Sequence, residues 1–141
     1  MAANGDIYFR RTSPDWRRTD EHMTPAVAGG YGPARLVDGA DRWANWRPGH
    51  HVWGARPGHD GSYMILDLST IDSTGRRSPP DVWFSRRANG TWSDPRPFGA
   101  GVNTSEAENF ASVTPDGCAL IFTRGFSRFY RVSLVAAMAG E

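Results

Sequence analysis

The chain has 141 residues, 39% of them hydrophobic and 12% aromatic, with 16 basic and 15 acidic side chains and a formal net charge of +1. These values suit one domain that buries roughly 68–70% of its unfolded surface, and they argue against nucleic-acid binding, which needs an excess of positive charge. Cys118 is the single cysteine, which excludes an internal disulfide framework; no apolar run reaches the ~18 residues of a membrane helix, so neither membrane insertion nor an export signal is expected.

Short aromatic runs broken by 16 glycines and 10 prolines suit many strands better than long helices. Period-two alternation predicts strands near Asp6 to Arg10, Ala34 to Val37, His51 to Arg56, Ser62 to Leu68 and Asp81 to Arg86. Four more are expected near Arg96 to Phe98, Asn109 to Val113, Ala119 to Thr123 and Phe129 to Leu134. His59-Asp60-Gly61 and Pro115-Asp116-Gly117 read as hairpin turns, and Asn89-Gly90 as a third. Val135 to Gly140 closes the chain as one helical turn or a frayed end.

The sequence repeats itself. Asp6-Ile7-Tyr8-Phe9-Arg10-Arg11 returns as Asp81-Val82-Trp83-Phe84-Ser85-Arg86-Arg87, and Asp60-Gly61-Ser62-Tyr63-Met64-Ile65-Leu66 as Asp116-Gly117-Cys118-Ala119-Leu120-Ile121-Phe122. A third copy of the first motif falls at Arg128-Phe129-Tyr130-Arg131-Val132. Unequal offsets are absorbed if Thr12 to Gly30 and Ser69 to Arg77 are inserted loops, which leaves a unit of about 47 residues, in the range of four-stranded propeller blades.

Asp81 to Ser85, Trp92-Ser93-Asp94-Pro95, Val102-Asn103-Thr104 and Pro115-Asp116-Gly117 followed by Leu120 and Phe122 occur in the order of a known repeat. The chain thereby resembles the WD40-like, TolB-type β-propeller repeat, the PD40 family. The resemblance implies an all-β fold of antiparallel β-propeller blades, about two of them, in an incomplete or oligomer-completed propeller. One propeller-like domain would span 1–141, with a degenerate blade at about 31–98, an insertion at 12–30, and a better-matched blade at about 81–134. Because propellers close with 4–8 blades, the expectation is a homo-oligomer or a part of a longer chain. Proteins of this family are often periplasmic or secreted.

Candidate chemistry is sparse. His50, His51 and His59 lie near Asp38, Asp41 and Asp60 in sequence, but adjacent histidines on a strand point to opposite faces, so no metal site is expected. Glu106 and Glu108 would share a face on an extended segment, as a glycosidase pair requires. Ser85 to Trp92 fits the sialidase Asp-box at its ends but carries Arg87 and Asn89 where the Asp and Gly belong, and Gly125-Phe126-Ser127-Arg128-Phe129 lacks the second glycine of a nucleophile elbow. The Arg-Arg pairs read as solvated loops and blade edges. Trp43, Trp46 and Trp53 are candidates for stacking on a sugar or peptide. The expectation is a non-enzymatic scaffold that needs no cofactor and binds a protein or peptide through Arg56, His59, Glu106, Glu108 and Arg124 at the channel mouth. The alternative is the propeller part of a glycosidase- or peptidase-type hydrolase whose catalytic residues lie mostly outside this chain.

Overall fold

The structure, a computed structural model, describes residues 4–14, 19–37 and 49–139. The fold is all-β and antiparallel, with one short terminal helix. A first sheet holds β1 (Ile7–Thr12), β2 (Thr19–Thr24) and β5 (Arg35–Leu36) in the order β1-β2-β5, and the small hairpin β3 (Ala26–Val27) and β4 (Gly30–Tyr31) stands beside it. The central sheet runs β10-β8-β7-β6, made of β6 (His50–Pro57), β7 (Tyr63–Thr70), β8 (Asp81–Ala88) and β10 (Arg96–Pro97), with β9 (Thr91–Trp92) also paired to β8. The third sheet is the meander β11 (Glu108–Val113), β12 (Ala119–Arg124) and β13 (Arg128–Ser133), followed by α1 (Leu134–Ala139).

The central sheet lies between the other two, and strict alternation along β7 explains how. Met64, Leu66 and Leu68 join Met23, Val37, Val52 and Trp92 in one core toward the first sheet. Ile65, with Val82 and Phe84 of β8, joins Phe98, Val102, Ala111, Leu120 and Phe122 in a second core toward the third sheet. A strand apolar on both faces has its backbone covered on both sides. Both cores are thus built from one run, Tyr63-Met64-Ile65-Leu66-Asp67-Leu68, whose interruption by Asp67 is a lock and not a break.

The hairpins take the expected geometry. Gly61 and Gly117, both at φ 72°, turn β6 into β7 and β11 into β12, and Asn89-Gly90, with φ 51° and 78°, turns β8 into β9. Asn103 of the Val-Asn-Thr element mimics a strand. It bonds the Val82 amide and carbonyl (2.9 Å each) and the Phe98 carbonyl (2.9 Å), covering the edge of β8 that β10 leaves open.

The repeat is visible in three dimensions for the second and third sheets. Val52 and Glu108, Ala55 and Ala111, Met64 and Leu120, Leu66 and Phe122 are equivalent pairs, each 56 residues apart. In both sheets the β7 and β12 members face the preceding sheet. Both opening strands also carry a register shift, between Val52 and Gly54 and between Asn109 and Ser112. Leu66 opposes Trp83, and Phe122 opposes Tyr130, which puts Trp83 and Tyr130, 47 residues apart, in the same ladder position.

Two expectations are corrected. Thr12 to Gly30 is not one inserted loop, because Thr19–Thr24 forms β2 and pairs along the whole of β1. The first motif copy is also not equivalent to the second in facing: Tyr8 packs on the same core as Trp83, from the opposite sheet. The first sheet therefore stacks in the reverse sense to the third.

Candidate functional site

β6 and β11, the opening strands of the repeated sheets, each pair on one side only among the described residues. Between them lies a recess of about 290 Å³ lined by Trp53, Arg56, Asp67, Pro80, Asn109, Phe110 and Phe126. Its rings are exposed: 44% for Trp53, 61% for Phe110 and 64% for Phe126. Three large aromatics gathered at one surface cost hydrophobic free energy that a monomeric fold alone does not recover.

Asp67 organises this site from beneath. Its carboxylate is 2% exposed and accepts hydrogen bonds from Arg56 Nη1 (2.8 Å), the Phe110 amide (3.1 Å) and the Ala111 amide (3.3 Å). These amides become available because the bulge in β11 turns them away from β12. Phe110 is thereby held at φ 52°, a left-handed conformation that a bulky residue adopts at a cost of about 1–3 kcal/mol unless its surroundings enforce it. The result is a ring fixed outward. Gly54 is the counterpart of Phe110 in the earlier repeat and makes room for the ion pair, since a Cβ there would lie 3.0 Å from Arg56 Nη1 and 3.1 Å from Asp67 Oδ2.

Trp53 is fixed in turn. Its indole Nε1 donates to Ser69 Oγ at 2.8 Å, His51 meets its ring edge-on at 4.4 Å, and the Arg77 guanidinium sits 5.3 Å from the ring centroid. Burial, followed by the nearby charges of Arg77 and Arg10, holds the His51 imidazole below its ordinary pKa, so it packs as a neutral ring. Phe126, at φ 59°, occupies the tight turn Gly125-Phe126-Ser127 between β12 and β13. An aromatic floor, a guanidinium donor and an amide side chain together suit recognition of an extended chain with an apolar side group.

The five residues singled out from sequence separate into four places. Arg56 belongs to the recess. His59 borders a different cavity, between the first and central sheets. Glu108, fully buried, receives Arg124 Nε (2.7 Å), Thr104 Oγ1 (2.6 Å) and the Thr104 amide (3.0 Å), while Arg124 Nη2 also donates to the Val102 carbonyl at 2.9 Å. That pair is structural. Glu106 lies in the turn before β11, exposed and paired with Arg128, so the two glutamates do not share a face as an extended segment would require. Of the five, only Glu108 and Arg124 touch through their side chains.

His50 and His51 meet different rings, those of Trp83 and Trp53, and no group of three potential metal ligands occurs among the described residues. Trp43, Trp46, Asp38 and Asp41 lie outside the described residues. Sequence reasoning missed Phe110 and Phe126. Phe110 carried a signal, being a large aromatic between Asn109 and Ala111, which are both buried; Phe126, beside Gly125 in a two-strand connection, carried little. No protein-family model matches the chain, no curated protein matches it, and no solved structure matches its fold.

Proposed function

We propose that the chain is a scaffold segment of propeller-like sheets, non-enzymatic in itself, that binds a protein or peptide partner in the recess between β6 and β11. The single observation that carries this reading is the trio Trp53, Phe110 and Phe126 around the Arg56–Asp67 pair, with Phe110 held in a strained conformation that exposes it. Arg56 retains donors beyond the one given to Asp67, and Arg77 lies exposed over Trp53. The favoured partner is therefore an extended segment with an aromatic or aliphatic side chain beside an acidic residue.

Stacking of the second and third sheets in one sense, with the same positions facing the preceding sheet, supports the PD40-like propeller reading for that part of the chain. The reversed first sheet weighs against extending it to three equivalent blades. The Glu108 carboxylate is buried and already holds three donors, which leaves it unsuited to proton transfer, so the hydrolase alternative rests on catalytic residues outside this chain.

Selection of peptides from a random display library against the wild-type chain tests the proposal. Enriched peptides are expected to carry an aromatic-acidic pattern and to lose binding about tenfold or more to Trp53→Ala and Phe126→Ala chains, in line with the weight of aromatic anchors at interfaces. Phe126 is 64% exposed, so Phe126→Ala is expected to unfold close to wild type, whereas Trp53→Ala takes the donor from the buried Ser69 hydroxyl and is expected to cost about 1–3 kcal/mol. Absence of enrichment, or equal binding to both variants, overturns it.

A further inference from the structure

A second cavity, of about 340 Å³, opens between the first and central sheets and shares no lining residue with the recess on β6 and β11. Its walls divide by chemistry. Met23, Val37 and Trp92, all core residues, supply an apolar side. Arg35, Arg87, His59 and Tyr8 supply donors.

Two carboxylates also line the cavity, but both are engaged by the chain itself. Asp6 accepts from the Ala26 amide at 2.9 Å and from Asn4 Nδ2 at 2.8 Å. Asp60 accepts from the Ser62 amide at 3.0 Å and from its hydroxyl at 2.7 Å. Arg87 stacks on Trp92, 5.5 Å from the ring centroid, and gives only its Nε to the Gly90 carbonyl at 3.4 Å. Arg35 makes no ion pair among the described residues. Burial, and then the Asp6 charge, raises the Tyr8 phenol pKa, while the positive charges of Arg87 and Arg35 act against that rise, which places both guanidinium groups within electrostatic reach of its hydroxyl.

Two cations without acid partners, beside a buried apolar wall in a space of drug-like size, form an amphipathic anion site. We propose that this cavity binds a small organic carboxylate, with its apolar or aromatic body against Met23, Val37 and Trp92 and its carboxylate on Arg35 and Arg87. Planar guanidinium forks match carboxylate geometry, and the apolar wall separates such a ligand from inorganic anions.

Calorimetric titration with indole-3-acetate tests the site, with indole and acetate as the two half-ligands and the Trp92 indole NMR signal as the reporter of place. Indole-3-acetate is expected to bind at least about tenfold more tightly than either half. Arg35→Gln and Arg87→Gln are each expected to weaken it about tenfold or more, the scale of one lost charged hydrogen bond. Arg35→Lys and Arg87→Lys keep the charge and are expected to fall between, while Arg131→Gln on the third sheet leaves binding unchanged. Arg35 and Arg87 are exposed, so the variants fold, which their unfolding midpoints verify. Indole binding as tightly as indole-3-acetate, an affinity insensitive to both Gln variants, or no binding of indole-3-acetate at millimolar concentration overturns the proposal.

Discussion

Removing the Asp67 carboxylate is the perturbation to which the fold and the recess should respond together. Asp67→Ala leaves the Phe110 and Ala111 amides and one arm of Arg56 without their acceptor. Ala111 is fully buried, so its amide has no water to turn to; each buried orphan donor costs about 1–3 kcal/mol. Arg56 is 37% exposed and rehydrates, so its share is discounted toward the surface value of about 0–1 kcal/mol. The sum is a loss of about 2–7 kcal/mol, a large part of the ~5–15 kcal/mol that holds a domain folded. At about 2–4 °C per kcal/mol the unfolding midpoint drops on the order of 10 °C. Asp67→Asn keeps one carbonyl acceptor but turns an amino group toward the remaining donors, and is expected to cost about half as much. Urea unfolding measures the loss, and amide exchange at Ala111 shows where it arises. A loss below about 1 kcal/mol, with Ala111 still protected, refutes the reasoning that this carboxylate locks the central sheet to the third.

Three further outcomes follow from local physics. Burial, and secondarily the Glu108 charge, raises the Asp81 pKa; the folded state then holds its proton more tightly than the unfolded chain, so stability falls as pH rises from about 4 through the raised value. Asp81→Asn is expected to flatten that slope and to stabilise the protein at pH 7 in thermal melts, and an unchanged slope contradicts it. Gly58→Ala places a methyl group 2.3–2.6 Å from carbons of the Tyr63 ring, an overlap expected to cost about 1–3 kcal/mol in denaturant unfolding. Phe129 is 79% exposed at the ladder position where Val82 is buried in the preceding repeat, since Val82 opposes Asp67 and Phe129 opposes its counterpart Thr123. If a second copy covers that face, the solution mass exceeds that of a monomer at high concentration, and Phe129→Ser returns it to monomer.

The parts of the fold legible in the sequence are those where apolar residues dominate the strand, even when one buried charge interrupts it, as Asp67 does in β7. In β8 and β12 apolar side chains alternate or run together, their turns carry Asp-Gly or Asn-Gly, and the expected spans lie within two residues of the observed ones. β2 was hidden for a physical reason. Its inward positions are Glu21 and Met23, and Glu21 is buried against Arg10 at 3.1 Å, so Thr-Asp-Glu-His-Met-Thr reads as a polar loop. Burial raises the Glu21 pKa although Arg10 opposes the shift, the mark of a charge enclosed for packing more than for stability. Likewise Glu108 looked like surface chemistry and is a buried brace. The recess escaped because a bulge, which side-chain alternation does not announce, decides where Phe110 points. Of the five candidate residues, only Arg56 lines the recess.

Chemical-shift mapping of a selected peptide on the labelled chain locates its binding site. The largest changes are expected at the Trp53 indole, the Phe110 and Ala111 amides and the Arg56 side chain, with the Trp92 indole unmoved. Changes centred on the Trp92 cavity or the outer face of β13, with Trp53 and Phe110 still, would contradict that placement.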